Sequence, residues 1–213
     1  LLPAEYAAGD YYDYLPMPDG ALGVVVGDVC GHGVGPALLM ASVSAHLRSF
    51  VLEHSDIKGI LGHVNTVLCK EIEEGRFVTL LFARIEPASR RLTYLNLGHP
   101  PGYVIGPSGD VKEVLERGSL PLGILPDMDL SPSDPLELQP GDLVLFITDG
   151  ILEALSPGRA LFGVERTLEV VRANRDRRAG EIIQSLHQAV FDFTGLTKPQ
   201  DDLTTVVIKV DAS

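Results

Sequence analysis

Two cysteines, Cys30 and Cys69, are all that the 213 residues contain, and no CxxC or Cys/His ligand spacing surrounds them. That scarcity excludes a disulfide framework and a thiolate zinc site; two lone thiols fit a reducing, cytoplasmic setting. Basic residues are also few, 17 Lys and Arg against 29 Asp and Glu for a formal charge of −12. Nucleic acid is therefore not the expected partner, because phosphate backbones are held mainly by Lys and Arg. No membrane span is expected, since no run of roughly 18 apolar residues is found, and no signal peptide opens the chain. Internal repeats and low-complexity segments are absent too. The first residue is Leu1 rather than Met, so a fragment of a longer polypeptide is expected.

What is present is the composition of a globular domain: 45% hydrophobic residues, punctuated by 22 Gly and 15 Pro. The length fits a single domain over residues 1–213, large enough to bury a core without metal staples. Any metal is then expected to serve chemistry rather than folding. The Val-rich run Ala21 to Asp28 reads as a buried strand. Gly31, Gly33 and Gly35 form a loop, and Pro36 suits the first turn of a helix running to about Val51. A second helix is expected from Ile57 to about Glu74. Strands follow at Phe77–Ile85, Arg91–Asn96, Tyr103–Ile105 and Val111–Leu115. Leu120 to Pro140 is irregular, and Asp142–Thr148 is a strongly apolar strand. Helices near Val164–Asn174 and Gly180–Phe193 precede a last strand, Leu203–Val210. Hairpin-linked strands with paired helices predict an α+β fold, two packed antiparallel β-sheets flanked by helix pairs, rather than alternating βαβ units.

Aspartates gather at the ends of these elements. Side chains alternate faces along a strand, so Val24, Val26 and Asp28 share one face, as do Leu143, Leu145, Ile147 and Asp149. Asp201 and Asp202 stand at the start of the last strand. If that strand runs antiparallel to the one before Asp149, its start lies beside the other's end. Asp10 and Asp13, in GDYYDY, precede the first apolar strand by a short turn at Pro18–Gly20 and could reach the same end. Alone, each motif has an ordinary reading: Asp-Gly as a turn, Asp201-Asp202 as a solvated loop or cap, GDYYDY as an edge strand with exposed acids. His32 and His99 can each be plain loop histidines. Together the acids would repel, and burying them unpaired costs several kcal/mol each. Divalent cations with oxygen ligands, Mg2+ or Mn2+, are the natural compensation. Two such ions about 3.5–4 Å apart, sharing one carboxylate, would activate a water and neutralise a phosphoryl group.

The motifs GDYYD (9–13), GDVCGHG (27–33), NLGHPP (96–101), LPLGI (120–124), TDGILEA (148–154) with LFG (161–163), and DDLTTVVI (201–208) occur in this order. Together they resemble the PPM-type, protein phosphatase 2C-like serine/threonine phosphatases, in the branch of sporulation stage II protein E and the RsbU-like stress-response regulators. The resemblance runs from Gly9 to Val210. It implies two packed antiparallel sheets, dependence on two Mn2+ or Mg2+ ions, and direct attack by metal-bound water without a phosphoenzyme. Asp28 is implied as the carboxylate bridging both metals, with the Val29 carbonyl on the second. Asp149 and Asp201 are implied on the first, a role that Asp202 could share. Asp13, and with it Asp10, would hold metal-bound waters. Gly27, Gly31, His32 and Gly150 flank these positions. His32 sits four residues after the bridging Asp rather than two, so the general-acid role that some members give a His does not transfer. No Arg lies between Leu1 and Arg48, which leaves phosphate to the metals alone. Cys30 stands where a small or hydroxyl residue is usual, and a thiol there would be oxidisable.

The branch implies a phosphoserine-bearing partner, an anti-sigma-factor antagonist of STAS-like fold, and places such domains at the C-terminal catalytic end of longer regulatory proteins. The helices after the bridging Asp, roughly Pro36–Glu74, would carry an activating signal or a homodimer contact. Two other readings stay open at this point: a catalytically silent signalling module of the same fold, and a two-metal hydrolase of a small phosphate ester.

Overall fold

The structure, a computed structural model, describes residues 1–4, 6–31, 33–72 and 75–211. Among these residues nine strands form two antiparallel sheets. The first, in the order β1-β2-β3-β4-β7, comprises Asp10–Pro16, Leu22–Val29, Val78–Glu86, Arg91–Leu97 and the short Leu136–Glu137. The second is ordered β6-β5-β8-β9, from Val111–Leu115, Gly102–Ile105, Leu143–Ile147 and Thr205–Lys209. Helices α1 (Val34–Val51) and α2 (Ile57–Glu71) cover the first sheet; α3 (Asp149–Leu152), α4 (Gly163–Asn174) and α5 (Ala179–Thr194) cover the second.

This four-layer stack follows from strands that are apolar on both faces. In β2, Val25 and Val29 pack toward α1 and α2, while Val24 and Val26 enter the core between the sheets. In β8, Leu143, Leu145 and Ile147 face α3, α4 and α5, while Val144 and Phe146 meet the first sheet. Only a strand buried on both sides can use such an unbroken Val/Leu/Ile/Phe run, and β-branched side chains suit the pleated surface. The helices are delimited by local chemistry. The Asp56 carboxylate caps α2 by accepting from Lys58 N at 3.3 Å and Gly59 N at 2.9 Å, and Gly195 ends α5 in the left-handed region at φ 69°.

The expected strands and helices recur within a few residues, with three additions: GDYYDY forms the regular edge strand β1, β7 interrupts the segment expected to be irregular, and the short helix α3 follows β8. Glu73 and Glu74, to which the second helix was extended, lie outside the described residues. One expectation needs correction. Helix α1 has 18 residues at a mean hydropathy of 1.2, long and apolar enough to cross a membrane. Its Pro36, Met40, Val43, Leu47 and Val51 are nevertheless packed into the core, and Val34 and Leu38 are exposed.

Candidate metal centre

The two sheets deliver their carboxylates to one end of the sandwich. Asp10 and Asp28 are cross-strand partners in the β1–β2 ladder, and Thr79 of β3 pairs with Asp28 from the other side. In the second sheet Ile147, the last residue of β8, pairs with Thr205, the first of β9, which sets Asp149 beside Asp201 and Asp202. A pocket of about 440 Å³ opens there, with Asp28, Cys30, Thr79, Asp149, Asp201 and Asp202 in its wall and no Lys or Arg among its described lining residues.

The row argument holds for Asp28 but not for Asp149. Leu143, Leu145 and Ile147 face the helices, so continuing their alternation would carry Asp149 away from the seam. Asp149 reaches the pocket because the strand stops and α3 begins at that residue. Gly150 makes the turn possible: a Cβ there would lie 2.1 Å from the Asp202 carbonyl oxygen, a contact no side chain tolerates. Gly27 plays a similar part beside Asp28, where a Cβ would sit 2.9 Å from the Thr79 carbonyl oxygen.

Asp13 does not belong to this pocket. It lies three residues from Asp10 along β1, on the opposite face. Its carboxylate accepts from Tyr11 Oη at 2.6 Å and is gripped by Arg48 of α1, through Nε at 2.8 Å and Nη2 at 3.0 Å. The expectation that Asp13 holds a metal-bound water is therefore corrected; it ties β1 to α1. Replacing it, Asp13→Asn, should lower the melting temperature by roughly 2–4 °C and leave Mn2+ affinity unmoved, as measured by calorimetric titration.

Asp10 is the acid of that motif that faces the site. Its Oδ2 accepts from Thr148 Oγ1 at 2.7 Å and Thr204 Oγ1 at 2.6 Å, so a carboxylate of the first sheet is bonded to two hydroxyls of the second. Asp202 is occupied otherwise: it accepts from Ala4 N at 2.8 Å and Gly9 N at 2.9 Å, clamping the N-terminal segment along the pocket. Asp201 is exposed, and its Oδ1 accepts from the Asp202 amide at 2.8 Å. Cys30 Sγ accepts from Phe77 N at 3.2 Å, joining the loop after β2 to the approach to β3. His32 lies outside the described residues.

Crowding of like charge shows in the protonation behaviour. Burial, then Asp10, Asp149, Asp201 and Asp202, push Asp28 up to about 8. Burial pushes Asp10 up to about 7, against the hydrogen bonds from Thr204 and Thr148. Asp149 is raised by burial and then by Asp201 and Glu153. Each carboxylate thus lacks a counter-charge.

The donor atoms fit a hard divalent cation. Gly9, which the sequence did not single out, borders a space that a Cβ would fill: its position is 3.2 Å from Asp28 Oδ1, 3.2 Å from the Val29 carbonyl oxygen and 3.6 Å from that of Gly31. Oxygen atoms converging from carboxylate and backbone are the ligand type that Mg2+ and Mn2+ take. Among the described residues no three His, Cys, Asp or Glu side chains are already drawn together as a ligand set.

Comparison with known proteins places this geometry in context. The family model described as Stage II sporulation protein E (SpoIIE) matches residues 18–211. Protein IcfG of Synechocystis is 28% identical over 97% of this chain and 36% of its own length. Phosphoserine phosphatase RsbU of Bacillus subtilis is 23% identical over 98% of the chain and 61% of its own. The chain thus spans less than two thirds of either curated relative. Among solved structures, the RsbU and RsbW domains of Rv1364c from Mycobacterium tuberculosis superpose with a TM-score of 0.83 at 26% identity, over 99% of this chain and 58% of theirs.

Proposed function

This chain belongs to the stage II sporulation protein E (SpoIIE) family, and from that premise we propose that it is a metal-dependent phosphatase of phosphoserine or phosphothreonine on a protein. One observation carries the reading: acids from separate stretches of chain gather around a pocket with no basic side chain among its described lining residues, and burial, then their acidic neighbours, raise the proton affinity of Asp10, Asp28 and Asp149.

In this proposal Asp28, the Val29 carbonyl, Asp149 and Asp201 hold the ions. When bound, two divalent cations, Mn2+ or Mg2+, supply the missing positive charge, draw in the phosphoryl oxygens and make a water acidic enough to attack phosphorus. Asp202 serves by clamping Ala4 and Gly9 to the pocket wall rather than as a ligand, since backbone amides occupy both its oxygens. Asp10 bonds the first sheet to Thr148 and Thr204, which flank Asp149 and Asp202 in sequence, and so fixes how far apart the two sets of ligands stand. No Arg reaches the pocket among its described lining residues, so the phosphate itself would be gripped through the ions. The substrate we favour is a phosphoserine on an anti-sigma-factor antagonist of STAS-like fold, a choice supported by the motif resemblance. The relatives extend well beyond the matched region, which accords with a catalytic part of a longer regulatory protein.

The test is release of phosphate from a panel of phosphoserine proteins and from an aryl phosphate, with Mn2+ and with a chelator. Mn2+-dependent turnover of phosphoprotein, lost by more than about 100-fold in Asp28→Asn, is expected. Turnover of the aryl phosphate alone would point to a small-ester hydrolase, and no turnover of either to a silent signalling module.

A further inference from the structure

Building on that reading, we propose that His99 is a positioning residue: through Thr79 it holds the strand that carries Asp28 in place beside the metal centre.

His99 is fully buried, at 0% exposure, in the loop after β4, and its backbone is held on both sides. The His99 amide donates to Asn96 Oδ1 at 2.9 Å, and its carbonyl accepts from Arg117 Nε at 3.1 Å. Gly98 before it adopts φ 72°, and a Cβ there would lie 2.5 Å from Pro121, so the loop has one path. The ring is thereby aimed at Thr79. Nδ1 lies 3.0 Å from Thr79 Oγ1, and Thr79 lines the pocket, pairs with Asp28 in the ladder and sits 3.4 Å from the Asp28 carbonyl oxygen. Nε2 is buried with no partner in hydrogen-bond geometry.

Burial lowers the affinity of this ring for a second proton to a pKa of about 3, so the imidazole is neutral and has one N–H. With that hydrogen on Nδ1, His99 donates to Thr79 Oγ1, and the Thr79 hydroxyl donates in turn to the Asp28 carbonyl oxygen. A buried histidine in an apolar seam has an ordinary use, packing, and an aliphatic side chain would pack there without leaving Nε2 unpartnered. Partners behind the ligands set ligand direction, and their loss lowers metal affinity by about 10–100-fold.

The experiment is calorimetric titration of the metal-free full chain with Mn2+, alongside its melting temperature, for wild type, His99→Ala, His99→Asn and Thr79→Val. Asn can offer its Nδ2–H in place of Nδ1–H, whereas Ala cannot. His99→Ala and Thr79→Val are expected to weaken Mn2+ binding by about tenfold or more, with His99→Asn recovering most of it. Packing alone would lower the melting temperature of the histidine variants without moving Mn2+ affinity. Wild-type affinity in folded His99→Ala, or no recovery in His99→Asn, overturns the proposal. If His99→Ala does not fold, wild-type affinity in Thr79→Val does so instead. Failure of the wild type itself to bind Mn2+ would overturn the phosphatase reading, and this one with it.

Discussion

Metal-free protein is expected to lose stability as pH rises from about 5 to about 8, opposite to most acidic domains, and Asp28→Asn is expected to remove much of that loss. The sign comes from two carboxylates. Asp28 and Asp10 hold their protons to about 8 and about 7 in the fold, against an ordinary aspartate value of 3.8 in the unfolded chain. Between those limits the folded state binds more protons than the unfolded one, so unfolding becomes easier with each increment of pH. The limiting slope is about 1.4 kcal/mol per pH unit for each such proton, less what water at the pocket mouth screens. Below the unfolded value both states are protonated, and the effect ends. Urea denaturation in a chelator across this window measures it, and saturating Mn2+ should reverse the trend by favouring the ionised carboxylates. A flat or rising curve for metal-free wild type would contradict the assignment. Asp28→Asn should therefore be more stable than wild type at pH 8 without metal, and inactive with it. Few substitutions other than at a ligand raise stability while abolishing turnover.

Gly150→Ala is expected to have the largest effect of any single methyl group added to this protein. The new carbon would stand 2.1 Å from the Asp202 carbonyl oxygen, 3.1 Å from its carbonyl carbon and 3.3 Å from Asp201 Cβ. These are mostly backbone atoms, so the segment carrying Asp149 must move away from the one carrying Asp201. Such overpacking costs about 1–3 kcal/mol or more, and a shift of about 1 Å at a reacting centre can cost about 100-fold in rate. Thermal melts and Mn2+-dependent phosphate release would register both. Gly62→Ala is the control: it lies within α2, with nothing within 4 Å of the added carbon. There the same change should stabilise the helix by up to ~1 kcal/mol and leave activity alone.

The two-sheet architecture could be read from the sequence because β2 and β8 are unbroken apolar runs and because the strands between Phe77 and Leu115 follow one another closely enough to be linked by hairpins. Asp149 was found for an incomplete reason. Extending the Leu143, Leu145, Ile147 alternation one step further assumes that the strand continues, whereas Thr148 and Asp149 break into α3. Asp13 shows the opposite failure. Its three-residue separation from Asp10 is an odd number, which in a strand means opposite faces, so the sequence held the answer once GDYYDY was taken as a strand. Arg48, its partner, lies 35 residues away, and no spacing rule pairs them. Gly9 and His99 were illegible for a further reason. Their roles depend on which backbone passes within a few ångströms, a matter decided by how two sheets settle on each other.

Each sheet has a separate greasy lining against its own helices, and the third cluster, with Val24, Val26, Val144 and Phe146, joins the halves together with the bonds of Asp10 to Thr148 and Thr204. The acids of the proposed centre belong to neither half alone. A small sliding of one slab over the other would put the enzyme out of tune while both slabs stayed folded, so heat should silence this protein before it melts it.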